Sequence, residues 1–151
     1  MNQINGRAWV EALRSGEYTQ GRHALRQIAA CALGEKHCAP GETHCCLGVV
    51  TELAVAAGVL PPGIVNENGK MRKRRYRYET GVEGEVTGGA LPQSVCDWLE
   101  LDSDLVCFVI DGQLLAAENV NDGLGYSFAQ IADLIETQHL TPQPINSDES
   151  N

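Results

Sequence analysis

Between Cys46 and Gly58 the residues Cys46, Leu47, Val50, Leu53, Ala54 and Ala57 recur at intervals of three and four. That is the period of an α-helix with an apolar face. A helix this apolar must be covered by the rest of the chain, so Cys46 to Ala57 is expected to be the buried central helix. The chain can supply the cover. With 151 residues, 43% of them hydrophobic and 21% charged, one domain of this size buries roughly 70% of its extended surface.

The neighbouring segments point to short elements joined by turns, as sixteen glycines suggest. Ile4, Ala8, Trp9, Ala12 and Leu13 have helical spacing, with Gly16 as the stop. His23 to Leu33 reads as helix or irregular strand, and Ala39 to His44 as a loop. Pro61-Pro62-Gly63 breaks the chain. Between Val65 and Gly89 the pattern predicts a two-stranded basic ribbon: a turn at 66–69, an extended stretch to about Thr80, and a short return around Glu85 to Thr87. Leu91-Pro92 opens a short helix. The apolar runs Asp104 to Ile110 and Gln113 to Val120, joined by Asp111-Gly112, predict a hairpin that forms the core sheet. Ser127 and Gln130 have the capping-box spacing ahead of an apolar helical stripe at Phe128, Ile131, Ala132 and Ile135. The expected architecture is one α+β domain over residues 1–140, with three principal helices on a small antiparallel sheet and a basic ribbon inserted in it. Residues 141–151 are expected to form a polar, flexible tail.

Charge is distributed unevenly. The formal net charge is -9, yet six of the eleven basic residues, Lys70, Arg72, Lys73, Arg74, Arg75 and Arg77, lie within eight positions. A generally acidic surface excludes a protein that coats nucleic acid, since such binding neutralises many phosphates along an extended face. A local arginine cluster suits one small anion, because the planar guanidinium grips phosphate or carboxylate in a bidentate manner. Arg72, Arg74, Arg75 and Arg77, with Tyr76 or Tyr78 stacking on a base, are candidate ligand contacts. Tyr18, Gln20, Arg22 and Arg26 are candidates for a second wall, because Gly16 and Gly21 let that loop approach a ligand closely. The competing readings are an edge strand guarded by charge and, for Arg22 and Arg26, pairing with acids on a helix face.

Cys31, His37, Cys38, His44, Cys45 and Cys46 form a second cluster, and four of them would suffice for a tetrahedral zinc site. No Cys-x-x-Cys spacing accompanies them, so buried apolar thiols are favoured and no cofactor is expected. Cys96 and Cys107 read as core. A nucleophile and base drawn from Cys45 or Cys46 with His23, His37 or His44 is conceivable, and Asn121-Asp122-Gly123 offers a carboxylate, although it is first a turn sequence. No phosphate-cradling loop or zinc-protease motif is present, and binding is favoured over catalysis. No apolar run approaches the roughly 20 residues needed to cross a bilayer, and the N-terminus carries no apolar signal stretch. A cytoplasmic protein with reduced thiols is expected.

Three landmarks, Trp9 to Arg22 with Ala24-Leu25-Arg26, Cys45-Cys46-Leu47-Gly48-Val49, and Asn121-Asp122 followed by Ser127 to Glu136, resemble in order and spacing a family of small uncharacterised bacteriophage proteins. The resemblance brings no catalytic residues with it. The chain departs from that pattern at His23, where glycine is usual, and in an inserted segment from Cys31 to Thr43. A phage setting implies a counter-defence role in a bacterial cytoplasm, namely sequestration, by a homo-oligomer, of a nucleotide immune signal such as a cyclic nucleotide or an ADP-ribose derivative. The alternatives are an interaction module that inhibits a host protein through its acidic surface or basic ribbon, and a zinc-stabilised structural protein.

Overall fold

The computed structural model describes residues 1–29, 41–65 and 73–142. The predicted turn at 66–69, Lys70, Arg72, Cys31, His37, Cys38 and the tail beyond residue 142 lie outside the described residues.

The expected α+β class is found. Helix α1 (Gln3–Arg14) starts at Asn2, whose side chain accepts the backbone N–H groups of Ile4 and Asn5 at 3.1 Å, which satisfies two donors left open at a helix start. Its buried residues Trp9, Val10 and Leu13 face the core, and Trp9 Nε1 donates to the carbonyl of Cys46 at 3.0 Å. Two short strands follow, β1 (Arg26–Ala29) and β2 (Gly41–His44), and then α2 (Cys46–Ala56). As its composition demands, α2 is buried around most of its circumference. Thr51, fully buried within it, returns its hydroxyl hydrogen to Leu47 O at 2.8 Å. Gly48 brings the helix onto β1's approach: a Cβ there would stand 1.6 Å from the carbonyl oxygen of Leu25.

The basic stretch is not a projecting ribbon. Strand β4 (Lys73–Glu79) pairs antiparallel with β1, with β3 (Ile64–Val65) and with β5 (Val86–Thr87), in a five-stranded sheet ordered β2-β1-β4-β3 with β5 also on β4. The short return at Val86–Thr87 falls where the sequence predicts it. The additional partners come from distant segments and make β4 an interior strand. It is held by strands of its own chain.

After α3 (Gln93–Trp98), the hairpin β6 (Cys107–Ile110) and β7 (Gln113–Ala116) forms around Asp111 and Gly112, both at positive φ, 50° and 77°. That backbone suits a tight hairpin turn. It makes a separate two-stranded sheet and not the core sheet. The predicted second strand also stops early: at Ala117 the chain turns into helix α4 (Ala117–Asp122), which buries Ala117, Val120 and Asn121 at helical intervals. Helix α5 (Phe128–His139) opens with the predicted capping box between Ser127 and Gln130 and packs on α1. Its Gln138 ties down the hairpin, accepting from Val109 N at 2.8 Å and donating to Val109 O at 3.0 Å. No helix among the described residues is long and apolar enough to cross a membrane.

Candidate functional site

Residues directly opposite one another in an antiparallel ladder share a face of the sheet. The register pairs Arg26 with His44, Ile28 with Glu42, and Ile28 with Arg74. Arg26, Glu42, His44, Arg74, Tyr76 and Tyr78 therefore lie on one face, which α2 partly covers. Arg75, Arg77 and Glu79 lie on the other, beside Ile64 and Val86, which pair with Arg77 and Glu79. The candidate ligand contacts are thus divided between two faces.

The covered face is occupied by a polar network. The Arg26 guanidinium bridges the carboxylates of Glu42 and Glu52, reaching Glu52 Oε2 at 3.4 Å, and stacks on the Tyr76 ring at 4.0 Å from its centroid. Tyr78 is wholly buried, and its hydroxyl donates to Glu52. Burial opposes the charge of Arg26, yet the bond to Glu42 and the field of Glu52 outweigh it and raise its pKa. Burial, reinforced by the bond to Glu52, likewise raises that of Tyr78. Tyr78 cannot stack on a ligand, and Arg26 is already committed to two acids. The expectation that Tyr78 stacks on a ligand is corrected by its burial, and Arg26 is held by Glu42 and Glu52. Glu52, the centre of the network, is absent from the residues singled out by sequence reasoning. The available signal was a carboxylate placed within an otherwise apolar helix.

Tyr18 also serves structure, meeting His44 edge-on at 5.1 Å between ring centroids. His44 is buried, Nε2 stands 3.5 Å from Glu42, and Nδ1 has no hydrogen-bond partner among the described residues. Burial lowers its pKa below the ordinary value of about 6.5, overriding the upward pull of Glu42 and Glu52. The unfolded chain therefore binds this proton more readily than the folded one, so stability is present above about pH 6.5 and is lost as pH falls toward the lower folded value. Denaturant titrations at pH 7.5 and 5.5 should show the loss, and His44→Gln should reduce the difference between them.

Gln20 and Asn121 form a second knot. Gln20 Nε2 donates to Asn121 Oδ1 at 2.9 Å and to Tyr126 O at 2.7 Å, while its oxygen accepts from Phe128 N at 3.0 Å. Fully buried Asn121 donates to Gly21 O and to Asp122 Oδ1 at 2.9 and 2.7 Å. Gln20 thus ties its loop to the start of α5. Arg22 is exposed, and its guanidinium lies over Gly125. Arg14 pairs with Asp133 and with Glu136 at 2.8 Å on α5.

What remains available is the open face of β4. Arg75 and Arg77 are exposed there, and no acid among the described residues forms an ion pair with them or with exposed Arg74 on the opposite face. Arg77 lines a cleft of ≈230 Å³ with Pro61, Pro62, Ile64, Glu79 and Val86. Ile64 and Val86 are 68% and 50% exposed, unusual for paired apolar strand residues.

A second, polar cleft of ≈440 Å³ lies across the molecule's other motif residues: His23, Ala24, Cys45, Glu118, Asn119 and Asp122 are among those that line it. Burial pushes the Cys45 thiol up to about 11 and raises that of fully buried Cys46 well above the usual range. Cys46 donates weakly to Ala117 O. Cys96 is buried, as expected, whereas Cys107 is half-buried. Among the described residues no group of His, Cys, Asp or Glu is arranged to hold a metal ion.

No curated protein and no solved structure matches the chain. A family model described as "Domain of unknown function (DUF8296)" matches residues 1–139. The match spans all the motif segments and both clefts, and on it the chain belongs to the DUF8296 family.

Proposed function

We propose that the protein binds a phosphate-bearing small molecule on the open face of β4 and retains it without chemistry. The juxtaposition of the Arg77 guanidinium with an exposed apolar wall in one cleft carries this reading. Inorganic anions need only the charge. The wall of Ile64, Val86, Pro61 and Pro62 gives a flat base a surface to lie on, and Glu79 offers an acceptor for an amino or hydroxyl group. Arg75, two residues along the same face, stands about 7 Å from Arg77 along the strand, a separation that suits successive phosphates. The ligand class is therefore a nucleotide. In a phage setting, a cyclic nucleotide or ADP-ribose derivative made as an immune signal would be withheld from its host effector.

Binding should raise the melting temperature. A ligand at about a hundred times its Kd stabilises by about 2.7 kcal/mol, or roughly 5–10 °C for a domain of this size. In a panel of cyclic nucleotides and ADP-ribose derivatives, at least one compound should produce the rise. Arg75→Glu with Arg77→Glu should abolish it, and Arg74→Glu, on the opposite face, should leave most of it. No shift with any compound, or equal loss from Arg74→Glu, refutes the site. The exposed Ile64 and Val86 also favour a second reading, a polypeptide partner seated on the same face. A pull-down separates the two, because that partner would be retained as protein and lost with Ile64→Lys.

A further inference from the structure

The polar cleft brings together three groups that the nucleotide-binding reading does not use. Cys45 is the residue before α2 and is 5% exposed, yet it lines the cleft. Its side chain makes no capping hydrogen bond to the helix, and Asp122 lies near enough for its charge to disfavour the thiolate. Cys45 N donates to Ala24 O at 3.3 Å, which sets the residue next to His23 against it. His23 in turn is bound to Asp122 twice: its backbone N–H donates to Oδ2 at 3.0 Å and its Nδ1 stands 3.3 Å from the same oxygen. Asn121 fixes the other carboxylate oxygen at 2.7 Å. Nucleophile, imidazole and orienting carboxylate therefore share one cleft.

His23, like Glu100 and Asp111, has a left-handed backbone. Its φ of 64° is left-handed, a conformation that glycine adopts freely and that costs other residues roughly 1 kcal/mol or more. The ring, with its side chain 70% exposed, stands at the rim of the cavity and is tied to Asp122, whose other oxygen is held by buried Asn121.

We infer that this cleft is a thiol acyl-transfer site, with Cys45 as nucleophile, His23 as general base and Asp122 as the residue that orients it. A thiol held protonated by burial needs a base at hand. The Cys45 proton passes to His23 Nε2 through one bridging water as Sγ forms a bond to the substrate's carbonyl carbon. The bond from that carbon to the leaving group breaks, and the leaving group takes the proton from the imidazolium. Water, giving a proton to the same imidazole, then attacks the thioester carbon; the acid departs and Sγ recovers its proton. Glu118 and Asp122 line the cleft, and among the described residues no lysine or arginine does. The substrate class is accordingly a cationic acyl ester, thioester or amide, not a phosphate, and the site stands independently of the β4 face.

Acetylthiocholine, a cationic acyl thioester, is a suitable probe. The full chain should release thiocholine and carry a transient acetyl group on the Cys45 peptide by mass spectrometry, and Cys45→Ser should do neither at a comparable rate. His23→Gly and His23→Asn, which suit a left-handed backbone, should slow release about a hundredfold while melting at or above the wild-type temperature. That combination excludes a merely structural histidine. Absence of an acetyl adduct on Cys45, or release from His23→Gly at the wild-type rate, overturns the assignment.

Discussion

Gly48→Ala is expected to leave no stably folded protein. The added methyl would sit 1.6 Å from Leu25 O and 2.5 Å from Leu25 C, both backbone atoms, so no side-chain rotation relieves the overlap. Relief requires α2 to move off the strand approach, which opens the packing around fully buried Leu25, Val49 and Val50. A cost of about 4 kcal/mol or more is expected, at the extreme of single substitutions and comparable with a total stability of about 5–15 kcal/mol. Gly41→Ala is the control, since nothing among the described residues lies within 4 Å of its added Cβ. Circular dichroism and urea titration of the two variants read the difference. Near-equal midpoints would mean that α2 does not press on Leu25.

The second large effect concerns Arg26, read from sequence as a ligand contact and placed by the structure between two acids. Arg26→Leu should destabilise by about 3 kcal/mol, because it leaves mostly buried Glu52 without its cation, and breaking such a pair from one side costs about 3–5 kcal/mol. The lower end applies because Glu42 remains substantially in water. Glu52→Gln in the Arg26→Leu background should recover part of the loss by removing the uncompensated charge, while the Tyr78 hydroxyl keeps an acceptor. A double-mutant cycle measures this coupling. Zero coupling with an unchanged single-mutant midpoint would return Arg26 to the pool of ligand-binding candidates.

Local signals were read correctly wherever they close over a few residues. The capping box at Ser127, the Asp111-Gly112 turn and the apolar periods of α1, α2 and α5 depend on interactions within a turn or two of chain, and each is found in place. The strand from Gln113 was read too long because an apolar run of this length carries no preference between strand and helix. Ala117 is where helical packing against α2 and α5 takes over. The basic stretch was rightly read as extended, but its alternation could not reveal which face α2 would cover. That burial moved Tyr78 from candidate stacking residue to core.

Sequence alone determined the α+β class, the three long helices, the hairpin turn and the existence of an arginine-dense strand, since these follow from periodicity, backbone preference and composition. Tertiary structure alone decided that β4 lies inside a sheet, that Arg26 is neutralised while Arg75 and Arg77 are left open, and that His23, Cys45 and Asp122 meet at one cleft. Each of those outcomes depends on which distant segments come within a few ångströms of one another. A charge or a thiol takes its chemistry from the groups that fill that shell, and chain order does not specify them.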